Sequence, residues 1–161
     1  MSDAGTGRRR YLAALCGAVA TVAGCGAAET APRYESGEAD GNASANGSRS
    51  AEQLETAEAL AVTEADEDAD HREGLAVVDH EYVVYDDYRG PTVEGVVEND
   101  GDEPLRRVEA RVRVYDDAGH QLGRYVDRTG DLEPGDTWRF EVLVLESPGD
   151  VASYDVAVVG L

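Results

Sequence analysis

The 161-residue chain contains no lysine. All 14 basic residues are arginine, set against 34 aspartates and glutamates, for a formal net charge of −20. A chain so short of cations cannot bind nucleic acid by neutralising phosphates. Cysteine is almost absent: only Cys16 and Cys25 occur. The one sizeable apolar run, Tyr11 to Ala23, is about 13 residues, short of the roughly 20 that a helix needs to span hydrocarbon. A permanent transmembrane anchor is therefore not expected. Histidine is limited to His71, His80 and His120, with no His-x-x-His or Glu-x-x-His spacing for a metal. Ser147 and Ser153, the serines of the C-terminal half, lie outside any Gly-x-Ser-x-Gly context. No catalytic residue, metal site or cofactor is expected, and the chain is not read as an enzyme.

What is present begins with an address. A basic stretch ending at Arg10 leads into the apolar run, and small residues follow up to Cys25. This is the three-part layout of a secretory signal. Arg8-Arg9-Arg10-Tyr11-Leu12 resembles the twin-arginine pattern, in which Arg8 and Arg9 are read by a translocase receptor. Val22-Ala23-Gly24-Cys25 resembles a lipobox, whose cysteine becomes the lipidated first residue of the mature protein. An ordinary signal peptide leaving Cys25 as a free thiol is the alternative. Cys16 falls inside the segment to be removed, so the mature chain has one cysteine, no internal disulfide and no cysteine-based zinc site. Two lipid chains give stable anchoring where one is marginal. Loss of residues 1–24 removes one acid and three arginines and leaves a charge near −22. Anionic membranes repel such a chain, so the lipid is the expected partner of the bilayer.

Residues 26–72 are rich in Gly, Ser, Asn, Ala and acids, and poor in large apolar side chains. Residues 25–72 therefore read as a lipidated cysteine and a flexible acidic stalk. As a coil, about 47 residues span roughly 35–40 Å. Asn42-Ala43-Ser44 and Asn46-Gly47-Ser48 are sequons, making Asn42 and Asn46 candidate glycosylation sites. Ser50 and Gln53 fit a capping box for a transient helix from Ala51 to Ala61. The acidic run Glu64 to Asp70 reads as a solvated spacer.

Residues 73–161 change character. Val108, Ala110, Val112 and Val114 share one face while Glu109, Arg111 and Arg113 share the other, the period of a half-buried strand. Trp138, Phe140, Val142 and Val144 repeat it. Val93, Gly95 and Val97 alternate with Glu94 and Glu98. Leu75 to Tyr85, Gln121 to Asp127 and Tyr154 to Val158 supply further strands. Gly119 suits a tight hairpin turn. Glu133-Pro134-Gly135-Asp136 suits a type II turn, and Ser147-Pro148-Gly149-Asp150 repeats that composition. The expectation is an all-β, immunoglobulin-like β-sandwich of six to seven strands, preceded by the disordered acidic stalk. Paired acids at Asp86-Asp87 and Asp116-Asp117 offer either turn chemistry or a cation site. Tyr82, Tyr85, Tyr88, Tyr115 and Tyr125 offer either core and edge packing or an exposed patch for a partner.

Gly95-Val96-Val97-Glu98-Asn99, then Val112-Arg113-Val114-Tyr115-Asp116, then Leu132-Glu133-Pro134-Gly135-Asp136 and Phe140, resemble the FxLyD domain across roughly residues 90–158. Val112 and Val114 replace the Phe and Leu that name the family. The resemblance implies an immunoglobulin-like extracellular module and carries over no catalytic residue. Together these readings describe a lipid-anchored surface protein facing the extracellular side. Its module would meet an envelope protein or a glycan; a cation- or solute-binding lipoprotein is the alternative. Acid abundance without lysine also resembles the haloarchaeal style of protein. Repulsion among the acids opposes compaction, and salt at ~1 M, with a Debye length of about 3 Å, screens it. The domain is expected to fold in molar KCl and to loosen in dilute buffer. A circular dichroism titration checks this, and a spectrum indifferent to salt would contradict it.

Overall fold

A computed structural model describes residues 27–39 and 48–161. Arg8, Arg9, Cys25, Asn42 and Asn46 lie outside those residues. Six strands fall where the alternating pattern places them: β2 (Leu75–Val84), β3 (Pro91–Asn99), β4 (Leu105–Tyr115), β5 (Gln121–Leu132), β6 (Thr137–Leu143) and β7 (Ser153–Gly160). A seventh, β1 (Glu35–Glu38), comes from the segment read as stalk. The strands form two antiparallel sheets, ordered β1-β7-β4-β5 and β2-β3-β6. The protein is an all-β sandwich.

The core between the sheets follows the period-2 faces. Val108, Ala110, Val112 and Val114 are fully buried, as are Phe140 and Val142 from the opposite sheet. Phe140 is the larger anchor; Trp138, 6.0 Å away between ring centroids, is only partly buried. Gly95 lies opposite Phe140 in the β3–β6 register. A Cβ there would come within 2.6 Å of the Phe140 ring and would meet the Asp79 carbonyl, so only glycine lets the ring close over the strand. Asn99 ends β3 almost wholly buried. Its Nδ2 donates to the Glu103 and Leu132 carbonyls, each at 3.0 Å, and its Oδ1 accepts from the Gly101 amide at 3.1 Å. It thereby fastens two loops to the end of the sandwich. Gly119 (φ 82°) and Gly135 (φ 86°) take the left-handed conformation their turns require. Gly149 does not: the Ser147–Asp150 turn closes through the Asp150 amide onto the Ser147 carbonyl at 2.9 Å without a positive φ.

Much of the segment expected as a flexible stalk is docked. Short helix α1 (Ala27–Thr30) is followed by β1, which pairs with β7 at that sheet's edge. Helix α2 (Ala51–Leu60) forms with the full Ser50–Gln53 capping box, and its Ala57 is completely buried. Ahead of it, the Arg49 guanidinium donates to the carbonyls of Tyr88 (2.9 Å), Val144 (2.8 Å) and Arg89. Beyond it, Val62 bridges to Val126 of β5 and Asp70 bridges to Gly160 of β7. Residues 62–70 thus form a strap lying across the outer face of the four-stranded sheet.

That strap changes what the outward residues of β4 do. Glu109 belongs to the face opposite the core, yet its side chain is fully buried. Its carboxylate accepts from Arg111 Nε at 2.6 Å, from Arg128 Nε at 2.7 Å and from the Asp66 amide, 3.1 Å from each oxygen. Arg111 and Arg128 continue onto strap carbonyls, at Asp66 and Glu64 respectively. A second bidentate pair joins Arg113 to Asp155 at 2.8 and 2.5 Å, with Tyr115 donating to the same carboxylate at 3.1 Å. As a result every residue from Tyr154 to Gly160 is buried, on both faces of β7. The composition misled because docking here uses backbone amides and carbonyls, which any side chain supplies.

Removing one partner of a buried ion pair leaves the others uncompensated, at a cost of about 3–5 kcal/mol. Glu109→Ala is therefore expected to lower the urea midpoint by a corresponding amount and to expose the amides of residues 64–70 to hydrogen exchange, with Glu109→Gln losing less. A wild-type midpoint for Glu109→Ala would refute the role of this cluster.

Candidate functional site

A cleft of about 880 Å³ opens at the end of the sandwich that carries Leu105. Its floor is set where the loop ending at Gly74 meets the loop after Asn99, the Asp100 amide donating to the Gly74 carbonyl at 2.7 Å. Its polar rim includes Arg33, His71, Arg72, Glu73, Asp100 and Glu103. Arg72 is held from below, its Nε donating to the Gly160 carbonyl at 3.0 Å. Partial burial, and then the nearby Arg33 guanidinium, pull the His71 imidazole below its ordinary pKa. A neutral imidazole flanked by two guanidiniums and several carboxylates offers hydrogen bonds of both kinds to a polar solute. No group of three or more His, Cys, Asp or Glu side chains among the described residues is arranged to hold a metal ion.

The three histidines are apart in function. His71 lines the cleft, and His80 shares a 2.8 Å hydrogen bond with the Tyr154 hydroxyl. His120 sits 3.0 Å from Asp116 in the exposed β4–β5 hairpin. The paired acids serve their own turns. Asp116 accepts from the Ala118 and His120 amides at 3.0 and 2.8 Å, and Asp87 pairs with Arg89 at 2.7 Å. The Asp116 carboxyl is held below its usual range, mainly by those amide bonds.

The tyrosines do not form one exposed patch. Tyr125 is in the core and Tyr82 packs against it, stacked on Tyr154 with 6.2 Å between centroids. Tyr85 donates to Glu94 at 2.7 Å beneath the Arg89 guanidinium, and Tyr115 is bound to Asp155. Among the described tyrosines, only Tyr88 is substantially exposed. Arg33, Arg72 and Glu73 carried no recognisable motif in the sequence. Arg107-x-Glu109-x-Arg111 did leave a signal: a charge alternating in sign along a single strand face, which in a sheet marks ionic partners.

The class defined by this architecture is a small two-sheet β-sandwich with an N-terminal segment strapped across one face. No family model matches the chain, and no solved structure matches it. It is similar to an uncharacterized protein of Methanocaldococcus jannaschii, 36% identical over 86 residues, a match covering 52% of this chain and 63% of that protein. The chain thus spans less than two thirds of that relative's length.

Burial raises the Tyr82 and Tyr154 hydroxyls from an ordinary value of 10 to about 12. A folded-state pKa above the unfolded one gives stability that is complete below pH 10 and is lost as pH rises through 12. Tyr82 Oη is also buried without a hydrogen-bond partner in the protein. Tyr82→Phe should therefore stay within about 0.5 kcal/mol of wild type at neutral pH. It should also lose less stability above pH 10 than wild type does, since one raised hydroxyl is gone. Urea midpoints at neutral and alkaline pH check this; identical alkaline losses would contradict it.

Proposed function

We infer that the chain is a lipid-anchored protein of the cell membrane, exported through Arg8 and Arg9 and held at Cys25. It presents an FxLyD-like β-sandwich on the extracellular side as an interaction or accessory module. The observation that carries this reading is the order of basic residues, short apolar run and lipobox-like Val22-Ala23-Gly24-Cys25 ahead of a single small domain. Support also comes from the work its buried charges do. Glu109, Asp155 and Asn99 are each occupied in holding the fold together, as residues of a binding scaffold would be. Gly95 and Asn99, two positions of the FxLyD resemblance, have structural tasks of that kind.

A second reading, a cation- or solute-binding lipoprotein, is favoured by the cleft at the Leu105 end. Titration calorimetry with calcium and magnesium in molar KCl separates the two: heat and a thermal shift favour the binder, and neither favours the module. The anchor itself is tested by replacement of its acceptor. Cys25→Ser is expected to move the protein from the membrane fraction to the soluble fraction. Retention at the membrane would overturn the lipoprotein reading.

A further inference from the structure

The stretch between the lipid acceptor and the first docked residue is short. The Thr30 carbonyl accepts from the His71 amide at 2.7 Å. Tyr34 lies against Arg113, whose guanidinium carbon is 3.6 Å from the ring centroid, and β1 enters the sheet at Glu35. Four residues lie between Cys25 and Thr30, making five steps along the chain, and a chain reaches at most about 3.6 Å per step, so this tether is no longer than about 18 Å. That is half or less of the reach of a free stalk.

The point of docking also sets a direction. Thr30 meets the sandwich beside His71, next to the Asp70–Gly160 bridge. This is the end that carries Leu105 and the cleft, with Glu29 and Arg33 on the cleft wall. The β4–β5 hairpin lies at the other end of β4, an eleven-residue strand, and thus roughly 33 Å away.

We propose that the cleft end of the sandwich is its membrane-facing surface, meeting the headgroup layer of the bilayer that holds the Cys25 lipid. The hairpin at residues 116–120 then points outward. The proposal rests on the lipid-anchor reading. Around the cleft, Glu29, Glu73, Asp100, Asp102 and Glu103 outnumber Arg33 and Arg72. Approach to anionic headgroups is therefore repulsive in dilute buffer. At ~1 M salt the Debye length of about 3 Å removes most of that barrier.

The test uses full-length, acylated protein in phosphatidylglycerol vesicles with an acceptor dye on the headgroups, in molar KCl. A donor dye is attached at Asp102→Cys or at Asp117→Cys, both exposed positions; acylation shields Cys25 from the label. Severalfold higher energy transfer from position 102 than from position 117 is expected. Equal transfer, or higher transfer from 117, in protein that remains vesicle-bound overturns the orientation and leaves the anchor reading standing. Vesicle binding that is unchanged in Cys25→Ser overturns the anchor reading and this proposal with it. Glu103→Cys and Ala118→Cys repeat the comparison at neighbouring sites should either first label disturb folding.

Discussion

The buried carboxylate of Glu109 is the constraint from which the arrangement outside the core follows. A carboxylate without solvent must be matched by charge and by hydrogen bonds. Arg111 supplies one partner from the same strand, and Arg128 supplies another from β5. The remaining donor is the Asp66 amide, which belongs to the strap. The strap can therefore lie in one place only, with its carbonyls meeting the outer nitrogens of the same two arginines. Once it lies there, the outer face of the four-stranded sheet becomes a second interior. Ala157 and Val159, which would otherwise face water, are fully buried.

Arginine rather than lysine suits this task. Each guanidinium reaches the carboxylate with one nitrogen and a strap carbonyl with another. Arg49 works the same way at the opposite end, spanning carbonyls from the 88–91 loop and from Val144. A point-charge ammonium in either place would leave carbonyls without donors. The absence of lysine thus has a local counterpart in the fold. A chain with 34 acids and 14 arginines uses several of its few cations to fasten backbone to backbone.

The strands were legible because a half-buried sheet writes its period into the sequence: Val108 to Val114 and Trp138 to Val144 needed only alternation to be placed. The turn at Gly135 was legible for the same reason, since its backbone demands that residue. The strap was not legible. Glu64 to Asp70 reads as solvated because its side chains are acidic, whereas its contacts run through the Glu64 and Asp66 carbonyls and the Asp66 amide. Strand β1, Glu-Ser-Gly-Glu, has no apolar face because it pairs at an edge through its backbone, where Gly37 lies against the Tyr154 ring. The cleft was hidden for a further reason: it joins residues near 30, 72 and 100, which share no motif and meet only because β1, β2 and β3 bring their flanking loops to one end.

Docking of the N-terminal segment links fold stability to reach. If the strap and β1 were free, about 47 residues would let the sandwich wander roughly 35–40 Å from Cys25, the anchor proposed above. With Thr30 held by His71, the same segment shortens the tether to its first few residues. The strap is held by the Glu109 cluster, and the segment ahead of it by the stacking of Tyr34 on Arg113, itself paired with Asp155, and by the β1–β7 ladder. Ion pairs of this kind are less screened by salt than the surface acids around them, because they are buried. Rising salt therefore weakens the repulsion that would pull the segment away more than the pairs that hold it. For the lipid-anchored protein proposed above, that difference would keep the domain close to its membrane in molar salt.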